Sequence, residues 1–158
     1  MTGKTDKQFL FEVQLNWLSG TSGILSANDA EGVLKVATPP GFGGNGKPWT
    51  PEHLFLSSIS SSFMTTYLAY AKKGRFDIYH FECDTIGQIE IIDGRYKFTH
   101  INLYPKVYIG DETLREKATL ALKKTHQYCL VTNSVNATVV YHSEVLIAPP
   151  RAKSQTAT

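Results

Sequence analysis

Two thiols, Cys83 and Cys129, and five imidazoles, His53, His80, His100, His126 and His142, are the side chains best suited to nucleophilic or acid–base work near neutral pH. Two cysteines cannot build a disulfide framework, so free thiols in a reducing cytoplasm are expected. The histidines and cysteines are scattered without ligand spacing, and neither a metal nor a cofactor is expected. A hydroxyl-rich run, SSISSS over residues 57–62, supplies a second class of candidate nucleophile. A serine nucleophile needs a base and an orienting group, and no G-x-S-x-G elbow frames this one. The other reading of Ser62 is a small helix residue bonded to the carbonyl four residues back. The glycine-rich stretch Thr38–Pro48 (TPPGFGGNGKP) lacks the G-x-x-x-x-G-K-[ST] pattern. Its Lys47 is followed by proline, so a phosphate cradle is excluded.

These residues depend on a readable set of elements. Phe9, Phe11, Val13, Leu15 and Trp17 alternate, which predicts a half-buried strand over 9–17. Ser22–Ser26 and Gly32–Ala37 read as two further short strands. Thr50, Pro51 and Glu52 form a helix start, and the helix should run from Pro51 to Lys73 and stop at Gly74. Leu56, Ile59, Phe63, Met64, Tyr67 and Ala71 make its apolar face. Ser58, Ser62, Thr65 and Ala69 make a stripe of small residues that lets a backbone approach or floors a pocket. Tyr79–Ile91 and Arg95–Ile109 read as a hairpin closed by Asp93-Gly94. A second helix is expected over 111–128, and a last strand over 135–147. The order βββ-α-ββ-α-β is α+β. Residues 1–8 and 148–158 are expected to be flexible ends of one domain spanning 9–147.

Composition narrows the function. The 158 residues carry a formal charge of +2, 42% are hydrophobic and 19% charged. No basic excess marks a nucleic-acid binder, and none is expected as a partner. No apolar run approaches the ~18–20 residues of a membrane span, and the polar start shows no secretory h-region.

The run PPGFGGNGKPWTPEHLFLSSISSSFMTTYLAYA, with the later HQYCLVTNSVNATVVY, resembles the signature of the OsmC/Ohr family (osmotically inducible protein C and organic hydroperoxide resistance protein). That signature is a Gly-rich loop, a helix opening N/T-P-E-x-L, small residues and a cysteine before Phe, then a second-cysteine segment. The resemblance implies an intertwined homodimer in which antiparallel sheets wrap two central helices and the sites lie at the interface. It also implies peroxide reduction by two cysteines, the first activated by an arginine and a glutamate.

Mapped onto this chain, the peroxidatic position falls on Ser62, the second cysteine on Cys129, the glutamate on Glu52 and the arginine on Thr21. Ser58, Phe63 and Trp49 are expected to line the pocket. An alcohol cannot ionise near neutrality or become a sulfenic acid, so the two-cysteine cycle should be lost. The expected protein is a noncatalytic dimer holding a small apolar ligand. The alternative is a hydroperoxide reductase working through Cys129 alone. A relic thiol packed as a small hydrophobe is the plain reading of Cys129. Its place after a helix C-terminus should raise its pKa, unless a protonated His126 offsets the dipole. Glu52 is accounted for by helix-start electrostatics, and Trp17 and Trp49 by core packing.

Overall fold

A two-residue turn with φ of 50° at Asp93 and 73° at Gly94 closes the longest hairpin of the chain. Positive φ at both central positions is the primed geometry that matches strand twist, and Asp-Gly supplies it. The structure, a computed structural model, describes residues 7–149 and divides the chain into two units, Met1–Leu54 and Phe55–Thr158. The expectations for residues 1–6 and 150–158 lie outside the described residues.

The first unit carries a three-stranded antiparallel sheet of β1 (Gln14–Ser19), β2 (Ser22–Ser26) and β3 (Leu34–Ala37) in that order. The strand expected from Phe9 begins only at Gln14, whose partner Ser26 is the last residue of β2. The apolar row is not half-buried: Phe9, Phe11, Val13, Leu15 and Trp17 are 64–84% exposed. Among the described residues of the unit nothing covers that face. A Val36–Trp49 bridge and a bond from the Ala37 N–H to the Trp49 carbonyl (2.9 Å) tie the segment before the first helix to β3.

Helix α1 spans Pro51–Lys73. Thr50 caps it, its Oγ1 accepting from the His53 N–H (3.3 Å) while His53 Nδ1 accepts from the Thr50 N–H (3.2 Å). This is a capping box with histidine in place of the usual Glu or Gln.

In the second unit β4 (His80–Ile92) and β5 (Arg95–Ile109) pair antiparallel, with a bulge opposite Gln88 and Ile89. Helix α2 (Arg115–Tyr128) follows a short 3-10 turn, and β6 (Thr138–Tyr141) and β7 (Glu144–Ile147) return parallel to β5. One continuous strand was expected here. Both pieces keep a single register on β5, and the gap at His142–Ser143 lies beside Tyr104–Pro105. A parallel ladder would have the residue-105 N–H donate to the His142 carbonyl; proline has none.

The core of this unit is Ile59, Phe63, Tyr67 and Ala71 of α1 against Ile101, Leu103, Val107 and Ile109 of β5 and Ala118, Ala121 and Leu122 of α2. The i, i+4 spacing on α1 and the alternation on β5 are the two periods that put these residues on one side. Gly87 sits where β4 packs tightly on β5 and α1. A Cβ there would lie 2.6 Å from the Phe98 ring and 2.8 Å from Leu56 Cδ2.

Candidate functional site

Hydroxyls crowd the middle of α1, and most turn back on the helix. Ser58 donates to the Phe55 carbonyl (2.7 Å), Ser61 to the Ser57 carbonyl (2.7 Å) and Thr65 to the Ser62 carbonyl (3.1 Å). Ser62 departs from the expected back-bond. Its Oγ accepts from the Cys129 thiol at 3.3 Å.

Cys129 is fully buried and free. It caps α2, its N–H donating to the Thr125 carbonyl (3.0 Å), and its own carbonyl accepts from Thr132 Oγ1 (3.1 Å) and the Asn133 N–H (3.1 Å). The chain then enters the 3-10 turn Thr132–Ser134. Burial pushes the thiol pKa up, but hydrogen bonds from the Ser62 hydroxyl, the Thr132 N–H and hydroxyl and the Val131 N–H outweigh it, so the net direction is down. The net direction is opposite to the upward push expected from the helix end, because hydrogen bonding favours the anion.

His126 does not assist as a cation. Burial lowers its pKa, which favours the neutral ring. The ring stacks on Tyr141 (centroids 4.1 Å, 14° between planes), tilts against Phe63 (5.6 Å), and its Nε2 bonds Ser143 Oγ (2.9 Å). Tyr141 is held neutral by burial, with the nearby Cys129 sulfur adding to the upward shift of its pKa. Sequence reading missed Thr132, Tyr141 and Ser143. Thr132 follows Cys129 by three residues, the only local signal among them; the other two reach the site through the β6–β7 return.

The remaining expected residues fall elsewhere. Phe63 is fully buried among the rings of Phe81, His126 and Tyr141. Ser58 is exposed. Trp49 is in the first unit, 48% exposed beside a hollow of about 310 Å³ shared with Lys47 and His53, not packed in a core. Thr21 lines another hollow of that unit, about 300 Å³, with Leu15, Trp17, Val36 and Pro51. Glu52 sits in the first turn of α1, and its Oε2 is buried without a hydrogen-bond partner among the described residues. Among those residues no cluster of His, Cys, Asp or Glu is placed to hold a metal, and no helix is long and apolar enough to cross a membrane.

Comparison with known proteins agrees with this architecture. An organic hydroperoxide resistance protein from Elizabethkingia anophelis superposes with a TM-score of 0.70 at 19% identity, over 91% of this chain and 100% of that one. An OsmC-like protein from Mycoplasma pneumoniae gives 0.72 at 12% identity, over 90% and 100%. An organic hydroperoxide resistance protein OsmC from Legionella pneumophila gives 0.67 at 18%, over 89% and 99%. At these identities the likeness concerns the fold. The OsmC-like protein family model matches residues 44–143, which include the α1 serines, Cys129 and β6, and the chain belongs to that family.

Proposed function

We propose that the chain is a cytoplasmic, dimeric OsmC-like protein of the peroxide-response type whose two-thiol centre is reduced to a hydroxyl–thiol pair. It binds a small apolar ligand at a pocket completed by a second copy and does not turn peroxide over. The observation that carries this reading is the Ser62 Oγ at 3.3 Å from the Cys129 sulfur. A disulfide partner for Cys129 would have to stand there, and an alcohol neither attacks peroxide oxygen nor closes a disulfide. Glu52, with one buried oxygen unpartnered, supports the loss of the arginine that the family places against it and that Thr21 replaces. The exposed apolar row from Phe9 to Trp17 supports a second copy, because a face of that size is normally covered. A hollow of about 610 Å³ beside Thr65 and Ala69, on the stripe that includes Ser62, supports the ligand.

A second reading rests on the lowered thiol pKa of Cys129. Its thiolate would take the distal oxygen of a hydroperoxide, leaving a sulfenic acid and, after one proton is taken up, the alcohol. A small dithiol would then restore the thiol, giving its own disulfide and water. One assay separates the two readings: hydroperoxide consumption with a dithiol by the wild type, Cys129→Ser and Ser62→Cys. The expected result is a wild type no faster than buffer and weak activity in Ser62→Cys, weak because no arginine stands at Thr21. Turnover by the wild type that vanishes in Cys129→Ser would replace the first reading with the second.

A further inference from the structure

A separate cleft of about 270 Å³ lies between the last turn of α1 and one stripe of α2. Lys117, Leu120, Ala121 and Lys124 are its α2 wall. Their i, i+3, i+4, i+7 spacing puts all four on one side of the helix. Tyr70 and Lys73 of α1 form the opposite wall, and Phe76, just past the helix, closes the apolar part.

The distribution of charge is lopsided. Three ammonium groups line the cleft and no carboxylate does. None of the ion pairs among the described residues includes Lys73, Lys117 or Lys124. Lys73 Nζ and Lys124 Nζ each stand 5.9 Å from the centre of the Tyr70 ring. That separation is within the range of a cation–π contact, so both ammonium groups stand against the Tyr70 ring. Phe76 and Ala121 are buried, and Leu120 is 52% exposed at the rim. An apolar floor under an uncompensated cationic rim fits a molecule with an apolar body and an anionic head. At roughly 30 Å³ per water, the cleft has room for roughly nine waters, or the body of a small aromatic acid.

We infer that the α1–α2 cleft binds small organic acids, an aromatic or short alkyl body lying against Tyr70, Phe76 and Leu120 while a carboxylate meets Lys73, Lys117 and Lys124. The inference uses neither Ser62 nor Cys129. It shares Tyr70 and Lys73 with the larger hollow beside Thr65, whereas Lys117 and Lys124 line this cleft and not that hollow.

The test is therefore placed on the α2 lysines. The full-length protein is titrated with 3-phenylpropanoate and, separately, with the neutral 3-phenylpropan-1-ol at matched ionic strength, following backbone amide shifts by NMR. The acid is expected to give saturable shifts at residues 70–76 and 117–124 and to bind about tenfold or more tighter than the alcohol, as loss of a charge-assisted bond predicts. Lys117→Met with Lys124→Met should remove that difference while leaving weak alcohol binding and the thermal midpoint in place. Should the pair fail to fold, Lys124→Gln alone should reduce the acid's advantage severalfold. Equal binding of acid and alcohol, saturation elsewhere on the protein, no saturable shift, or full acid affinity in the folded lysine variants would overturn the inference.

Discussion

The Cys129 sulfur and the Ser62 hydroxyl meet at 3.3 Å across 67 residues of sequence, joining the end of α2 to the middle of α1. The contact gives a thiol of the hydrophobic core a hydroxyl partner. The hydroxyl can donate to a thiolate, while a methyl group cannot. Ser62→Ala should therefore move the Cys129 titration to higher pH. The change in absorbance at 240 nm, measured against Cys129→Ser so that Cys83 cancels, reports it. An unchanged curve would mean that the backbone donors at Val131 and Thr132 alone set the thiol.

Tyr67 presents the opposite case, a polar atom with no partner. It is fully buried, its ring 5.7 Å from that of Phe81, and its hydroxyl makes no hydrogen bond among the described residues. Burial drives its pKa far above the ordinary tyrosine value. The folded state thus favours the neutral phenol. That contribution is complete below the unfolded pKa of about 10 and is lost as pH rises towards the folded value. Tyr67→Phe should raise stability by about 1 kcal/mol, seen as a midpoint roughly 2–4 °C higher, since it removes a desolvated hydroxyl without a partner. It should also flatten the loss of stability above about pH 10. Thermal melts at one protein concentration from pH 7 to 11 measure both effects.

His126 titrates with the other sign. Burial lowers its pKa, so the fold favours the neutral ring. Its contribution is present above the unfolded value of about 6.5 and is lost as pH falls through the lower folded value. His126→Phe keeps a ring against Tyr141 and Phe63 but carries no proton. Denaturant unfolding from pH 7.5 to 5 should show a falling stability in the wild type and a flatter line in the variant. Parallel slopes would assign the acid sensitivity to other groups.

The features legible in the sequence were those fixed by neighbours along the chain. Asp93-Gly94 specifies its own turn, and Thr50-Pro51-Glu52 specifies a helix start whatever packs on it. The alternation in β5 identifies the buried set because only one face meets α1 and α2. What escaped depended on partners distant in sequence. The missing N–H that interrupts the last strand belongs to Pro105, on the strand beside it. The partner of the Ser62 hydroxyl, Cys129, arrives from another element. The row from Phe9 to Trp17 has the right period for a covered strand, but period says nothing about whether the cover belongs to the same chain.

Helix α1 ends at Lys73 and stops at Gly74 as the sequence predicts, and the left-handed residue that follows is Arg75, with φ of 54°. The Phe76 N–H reaches the Ala71 carbonyl (3.2 Å) and the Arg75 N–H the Lys72 carbonyl (3.1 Å), the paired bonds of a Schellman ending. The apolar contact that accompanies such endings joins Phe76 to the core that holds Ala71. Glycine at 74 answers a different need: a Cβ there would lie 3.0 Å from the Phe76 ring and 3.3 Å from the Tyr70 carbonyl oxygen. The left-handed conformation costs an L-residue roughly 1–2 kcal/mol, partly offset by the greater freedom glycine loses on folding. Arg75→Gly should thus stabilise the protein by about 0.5–1 kcal/mol, whereas Gly74→Ala should destabilise it by pressing on Phe76. Chemical denaturation of the two variants decides the assignment. If Arg75→Gly gives no gain while Arg75→Ala matches the wild type, the strain ascribed to residue 75 is absent.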